Sequence, residues 1–95
     1  LASREGKGHI AKMKLYVKNW CPWCIDAVHW LEERGIPFEK IDVLADANAY
    51  RHMIEISGQR KTPTLELPTG EVLPDFDVGQ LEEFLAAHQV FPAVS

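Results

Sequence analysis

The chain has 95 residues, of which 46% are hydrophobic and 25% are charged, and its formal net charge is -4. This length predicts a single domain, and a mildly acidic chain without a basic run argues against nucleic acid as the main partner. No apolar stretch approaches the length of a membrane span, and no secretory signal is seen. Two cysteines do not form the disulfide framework of a small secreted protein, so we expect a reducing, cytoplasmic location.

The first half of the chain predicts a strand, a helix and a second strand. Residues 1–12 lack sustained periodicity, and we interpret them as a mobile arm or vector remnant outside the fold. Residues 14–18 are an apolar run typical of a first strand. The first helix is expected from Pro22 to about Arg34, because the missing N–H of proline suits the first helical position. Residues 38–43 predict the second strand.

The second half predicts a helix, a hairpin and a last helix. Asp46 is the expected N-cap of the second helix. Residues 64–73 predict two short strands joined by a Pro-Thr-Gly turn. Asp77, followed three positions later by Gln80, predicts a capping box at the start of an amphipathic last helix that ends near His88.

The predicted order of elements is β-α-β-α-β-β-α. The strand–helix–strand unit gives two parallel strands, and the hairpin adds an antiparallel pair. We therefore expect an α/β fold over residues 13–89, with a four-stranded mixed sheet flanked by three helices. Residues 90–95 are expected to be a C-terminal tail.

Both cysteines lie in the stretch Trp20-Cys21-Pro22-Trp23-Cys24, where the first strand gives way to the helix. At the first turn of a helix, a thiolate is stabilised by unpaired N–H groups and by the positive end of the helix dipole. A cysteine three positions on lies on the same face and can attack a mixed disulfide formed by the first. This pattern predicts a dithiol redox site with Cys21 as the nucleophile and Cys24 as the resolving thiol.

Two other interpretations of the cysteine pair are less favoured. Structural zinc requires four nitrogen or sulfur ligands, and the four histidines are scattered along the chain, so we expect no metal site. Two buried structural cysteines would conflict with the Pro-Trp spacer and the helix start, which are expected to expose at least the sulfur of Cys21.

Three segments together resemble a glutaredoxin over roughly residues 13–88. They are the run Lys18 to Cys24, the triplet Lys61-Thr62-Pro63 before a strand, and the helix start Asp75-Phe76-Asp77, with Gly70 between the last two. The resemblance implies a thioredoxin-like fold and a glutaredoxin-type disulfide oxidoreductase that reduces protein or glutathione mixed disulfides. It implies a monomer with no tightly bound cofactor, with glutathione as co-substrate and disulfide-containing proteins as partners.

The resemblance also assigns residues to the binding of glutathione or substrate. Pro63 is expected to be cis and the backbone of Thr62 to hydrogen-bond to glutathione, although a strand-start proline is also common. Lys18 is expected to attract the carboxylates of glutathione and to lower a thiol pKa, although a lysine on a strand is often only solvated. Arg60 and Lys61 are expected to add positive charge beside the cysteines.

On the other side of the predicted cleft, Trp23 is expected to form an apolar wall, with Trp20 at the rim. Phe76 and Asp77 match the segment that holds the glutamyl end of glutathione in the family, although Asp77 is equally an N-cap. The sequence departs from the family where Pro74-Asp75 replaces the common Gly-Gly pair. A side chain and a negative charge there could block or re-orient the carboxylates of glutathione.

This departure, together with a threonine in place of the more usual valine before the proline, leaves alternatives open. One is a redoxin reduced by thioredoxin reductase instead of glutathione. Another is a glutathione-ligated iron–sulfur cluster carrier, in which two chains share a cluster through Cys21; Pro22 argues against it, because cluster-binding relatives more often have Gly or Ser there. A non-catalytic thioredoxin-fold module is disfavoured by the intact cysteine pair.

Overall fold

A computed structural model describes residues 12–89. The predicted arm, apart from Lys12, and the predicted tail of residues 90–95 lie outside the described residues. The elements follow the predicted order, and their bounds agree with the sequence analysis to within about two residues. They are β1 (Met13–Val17), α1 (Pro22–Glu33), β2 (Phe38–Asp42), α2 (Ala47–Ser57), β3 (Thr64–Glu66), β4 (Val72–Pro74) and α3 (Val78–Ala87).

The four strands form one mixed sheet in the order β2-β1-β3-β4. β1 is parallel to β2, with α1 as the crossover, and β3 pairs antiparallel with both β1 and β4. The predicted thioredoxin-like α/β architecture is confirmed. Tyr16, near the end of β1, lies opposite Thr64 at the start of β3. The segment that leaves β1 and the segment that enters β3 therefore lie side by side at the same end of these two central strands.

Side chains alternate between the two faces of β1 and build a core on each side of the sheet. Leu15 and Val17 pack into the larger core, which also takes the buried residues of α1 and α3. Tyr16 packs on the other face with Val43 and Met53, against α2. The central strand is therefore covered on both faces, which fixes the position of its C-terminal end.

The buried hydroxyl of Tyr16 has a polar partner, as burial of a hydroxyl requires. It donates a hydrogen bond of 2.7 Å to Oε1 of Glu66 in β3. Burial and this carboxylate raise the pKa of Tyr16 well above its usual range. This hydrogen bond links Tyr16 of β1 to Glu66 of β3 on the face of the sheet that packs against α2.

The helix ends confirm the predicted caps. The side chain of Asp46 accepts a hydrogen bond from the N–H of Ala49 at 3.1 Å, and Gly58 ends α2 in the left-handed conformation. At α3, Asp77 and Gln80 exchange the two hydrogen bonds of a capping box, at 2.8 and 3.0 Å. Among residues 12–89, no helix is both long and apolar enough to cross a membrane.

Two leucines of opposite exposure give a test of the core. Leu65 in β3 is fully buried, whereas Leu44 is 52% exposed. Leu65→Ala should lower the free energy of unfolding by about 2–5 kcal/mol, since it removes apolar contacts and leaves a cavity. Leu44→Ala should change it by less than about 0.5 kcal/mol. Urea denaturation followed by circular dichroism measures both, and equal losses for the two variants would contradict this assignment of the core.

Candidate active site

Cys21 is the N-cap residue of α1, and its sulfur takes the place that an oxygen usually has in a helix cap. Its backbone is extended, with φ -83° and ψ 117°. Its Sγ accepts a hydrogen bond from the backbone N–H of Cys24 at 3.3 Å. One of the unpaired N–H groups of the first helical turn is thus directed at the sulfur predicted to be the nucleophile.

The expectation that the first sulfur is exposed is wrong. Cys21 is only 4% exposed and Cys24 only 2%, and both are free thiols packed into the larger core. The cover comes from the segment that enters β3, since the thiol of Cys21 donates a hydrogen bond to the carbonyl oxygen of Thr62 at 3.5 Å. The helix start alone would leave the sulfur open, but this segment closes over it.

The covering segment contains the predicted cis peptide bond, between Thr62 and Pro63. Both residues are buried. Hydrogen bonds hold the segment on both sides: the hydroxyl of Thr64 donates to the carbonyl oxygen of Lys61 at 2.8 Å, and the N–H of Asp75 donates to the carbonyl oxygen of Pro63 at 2.9 Å. Thr62 and Pro63 therefore have a fixed position against Cys21.

The two thiols have different surroundings. The pKa of Cys24 is raised to about 11, chiefly because burial disfavours the charged form. The hydrogen bond with Cys21 and the proximity of its charge raise that pKa further, while hydrogen bonds with Thr62 and the backbone of Lys18 lower it. Cys24 is therefore a protonated thiol at neutral pH, which suits a group that acts only in a second step.

Lys18 is turned towards the loop before β3. Its Nζ donates a hydrogen bond to the carbonyl oxygen of Arg60 at 3.2 Å. The same Nζ lies 5.9 Å from the ring centre of Trp20 and 5.3 Å from that of Tyr50, within the range of cation–π attraction. The hydroxyl of Tyr50 donates to the same carbonyl at 3.4 Å. These contacts of the Lys18 ammonium group link the end of β1 to the loop before β3.

The other two predicted cations lie on the surface. Arg60 and Lys61 are both exposed. The Nζ of Lys61 lies 3.9 Å from Oδ2 of Asp75, an ion pair that spans the segment of Thr62 and Pro63. Asp75 itself has a φ of 51°, in the left-handed region that favours glycine. The residue that breaks the family pattern therefore pairs with a cation assigned to substrate binding.

A pocket of about 220 Å³ brings together the residues predicted on the far side of the cysteines. It is lined by Trp23, Asp75, Phe76, Asp77 and Gln80. Trp23 is 58% exposed and Trp20 is 66% exposed, and their roles as wall and rim stay predictions. The ring of Phe76, at 3% exposed, belongs to the core, so the pocket can use little of it beyond the backbone.

Sequence reasoning missed two parts of this region. Tyr50, in α2, reaches Lys18 and the Arg60 carbonyl, and nothing in its local sequence signals that long-range contact. A second pocket of about 350 Å³ lies between α1, the end of β1 and Lys40 of β2, with Cys24 and His29 in its lining. Within residues 12–89, no group of three or more His, Cys, Asp or Glu side chains is placed to hold a metal ion.

A mixed four-stranded sheet with a cysteine pair at a helix start beside a cis proline defines a thioredoxin-like protein. The family model for glutaredoxin matches residues 13–71, and the chain belongs to the glutaredoxin family. Family membership and the cysteine pair support a thiol oxidoreductase.

Known proteins agree with this assignment. The chain is 25% identical over 83 residues to N-acetyl-S-hydroxy-L-cysteine reductase of Bacillus subtilis (strain 168), covering 83% of this chain and 88% of the relative. It is 29% identical over 56 residues to Glutaredoxin 3 of Escherichia coli (strain K12), covering 59% and 68% of the two chains. The crystal structure of the thioredoxin-like protein BC3987 superimposes with a TM-score of 0.70 at 28% identity, covering 78% of this chain and all of the other.

The titration of Cys24 is a direct test of this geometry. Thiolate absorbance at 240 nm should show a component with a midpoint near pH 11 in the wild-type protein. In Cys21→Ala the pKa of Cys24 should fall, because the hydrogen bond and the charge of Cys21 are removed. It should remain above the usual value of about 8.5, since burial is the largest cause. A midpoint at the usual value in Cys21→Ala would show that burial is not the main cause.

Proposed function

We propose that this protein is a dithiol thiol–disulfide oxidoreductase that reduces protein or glutathione mixed disulfides through Cys21-Pro22-Trp23-Cys24. The observation that carries the proposal is the position of Cys21 Sγ, 3.3 Å from the N–H of Cys24 and 3.5 Å from the carbonyl oxygen of Thr62. The first contact offers a donor to a negatively charged sulfur, and the second places a backbone segment beside the reacting atom.

In the first step, the thiolate of Cys21 attacks one sulfur of the substrate disulfide. A bond forms between Cys21 Sγ and that sulfur, the substrate S–S bond breaks, and the other sulfur leaves as a thiolate that takes up a proton. The substrate peptide lies along Thr62 and Pro63 and uses the backbone N–H and C=O of Thr62. The buried thiol must be reached past the rim formed by Trp20 and Trp23, since Cys21 is almost fully covered.

In the second step, Cys24 loses its proton and attacks Cys21 Sγ. The Cys21–Cys24 disulfide forms, and the second substrate thiol leaves, so that two electrons have passed from the protein to the substrate. Because the pKa of Cys24 is raised, it does not compete with Cys21 for substrate at neutral pH. Glutathione or a reductase then returns two electrons to the disulfide, and the cycle needs no tightly bound cofactor or metal.

The remaining site residues bind the substrate or glutathione in this proposal. Trp23 provides an apolar wall, and Phe76 and Asp77 hold the glutamyl end of glutathione. The helix start suits its carboxylate, and the carboxylate of Asp77 suits its ammonium group. Three basic residues add positive charge to the cleft, namely Lys18, Arg60 and Lys61. The protein would act as a monomer in the reducing environment of the cytoplasm.

A second candidate substrate is a small cysteine sulfenic acid. The relative that bears the name of an N-acetyl-S-hydroxy-L-cysteine reductase aligns with 83% of this chain. The chemistry needs the same two thiols: Cys21 would displace hydroxide, which leaves as water, and Cys24 would then release the substrate as a thiol. The first half-reaction distinguishes the candidates, because a disulfide substrate releases a thiol there and a sulfenic acid releases water.

Single cysteine variants test the assigned roles. Cys21→Ser should reduce turnover of a glutathionylated peptide to background, because the attacking sulfur is lost. Cys24→Ser should still remove glutathione from that peptide with glutathione as the reductant, but should fail to reduce an intramolecular protein disulfide. Release of peptide followed by mass spectrometry measures both reactions. Full disulfide reductase activity in Cys21→Ser would show that the nucleophile is assigned incorrectly.

The physiological reductant is tested on the oxidised protein. Glutathione should reduce the Cys21–Cys24 disulfide if the protein works as a glutathione-dependent enzyme. The comparison is reduction by thioredoxin reductase with NADPH, read as NADPH consumption and as free thiols. A clear preference for the reductase would place the protein with the redoxins and would remove glutathione as its co-substrate, while leaving the dithiol chemistry in place.

A further inference from the structure

Asp75 has an unusual backbone conformation and a fixed backbone contact. Its φ of 51° lies in the left-handed region, which aspartate enters more readily than most residues with a side chain. Its N–H donates to the carbonyl oxygen of Pro63 at 2.9 Å, so the residue is tied to the segment that covers Cys21. Asp75 therefore lies directly beside the segment of Thr62 and Pro63.

Two of the three cations around the cleft are engaged by other groups of the protein. The Nζ of Lys61 lies 3.9 Å from the carboxylate of Asp75. The Nζ of Lys18 donates a hydrogen bond to the carbonyl oxygen of Arg60 and lies near the rings of Trp20 and Tyr50. Among the described residues, only the guanidinium of Arg60 is without a partner in this set of three cations. An anionic substrate therefore competes with the Asp75 carboxylate for Lys61 and with the Arg60 carbonyl oxygen for Lys18.

The pocket beside Trp23 carries negative charge instead. Asp75 and Asp77 both line it. One oxygen of the Asp77 carboxylate accepts a hydrogen bond from the N–H of Gln80 at the start of α3. Glutathione has two carboxylates and one ammonium group at neutral pH, so it is a net anion. A carboxylate placed beside this pocket meets like charge, which disfavours binding.

We propose that Asp75 is a specificity-determining residue that makes the cleft favour disulfides with neutral or basic groups next to the reacting sulfur over the anionic tripeptide glutathione. Its carboxylate does so in two ways: it pairs with Lys61 and so removes a cation from the cleft, and it adds negative charge to the pocket beside Trp23. The inference rests on the proposed dithiol function, since it concerns the disulfide that Cys21 attacks.

The test uses three small disulfides of different charge and the Cys24→Ser variant, in which the reaction stops after the first step. In Cys24→Ser, attack by Cys21 forms the mixed disulfide, one half of the small disulfide leaves as a thiolate and is protonated, and mass spectrometry follows the adduct. The probes are cystamine (cationic), glutathione disulfide (anionic) and hydroxyethyl disulfide (neutral). Each rate is divided by the rate with the neutral probe, and the ratios are compared between variants.

Adding Asp75→Asn to this background should raise the relative rate with glutathione disulfide roughly three- to fivefold and lower that with cystamine by a similar factor, the size expected for one exposed charge. Adding Lys61→Gln should do the opposite, because it leaves the Asp75 carboxylate uncompensated. The changes should disappear near 1 M salt, where the screening length is about 3 Å. If the substitutions instead disordered the loop, the rates with all three probes would change in the same direction in both variants.

Glu55→Gln is the matched control, because it removes one negative charge from the exposed surface of α2 and should leave the ratios unchanged. If Asp75→Asn does not change the ratios, or changes them no more than Glu55→Gln, Asp75 does not set specificity. If the adducts form on Cys21 without any charge dependence, this inference is wrong and the proposed function stands. If no adduct forms on Cys21 with any probe, both are wrong.

Discussion

The antiparallel pairing of β1 with β3 is the constraint on which the site depends. Because Tyr16 lies opposite Thr64, the chain that leaves β1 and the chain that enters β3 emerge side by side. One carries Cys21 and the other carries Thr62 and Pro63, so the sulfur and the Thr62 carbonyl meet at 3.5 Å although they are 41 positions apart. A shift of the register by one residue would exchange the faces of β3 and would put Thr64 and Glu66 in place of Leu65 in the larger apolar core, so the core holds this alignment in place.

The same packing gives the two thiols different properties. Helix α1 must bury Cys24, Ala27 and Leu31 against the sheet, and this burial is the largest cause of the raised pKa of Cys24. Cys21 lies one turn earlier, at the start of the helix, where an N–H group is available to its sulfur. The raised pKa of Cys24 therefore arises chiefly from the way helix α1 packs against the sheet, with smaller contributions from Cys21, Thr62 and the backbone of Lys18.

The sequence predicted those features whose causes lie within a few residues. The caps at Asp46 and Asp77 and the cysteine at the start of α1 involve partners three positions away, so local spacing is enough to identify them. The burial of Cys21 was predicted wrongly because its cover comes from a segment some forty residues later. The hydrogen bond of Lys18 to the Arg60 carbonyl was missed for the same reason, since it depends on how β3 is placed beside β1.

The distribution of charge follows from this distinction between local and long-range contacts. Counting basic residues in the sequence gives a positive cleft, yet two of the three cations are partly compensated by groups that only the fold brings near them. A residue in the left-handed region is an effective place to alter such a balance. The backbone there can be the same with glycine or with aspartate, since aspartate tolerates this conformation, whereas only aspartate adds a charge. A single residue at that position can therefore change which disulfides approach Cys21 while the sheet, the helix start and the two thiols remain as they are.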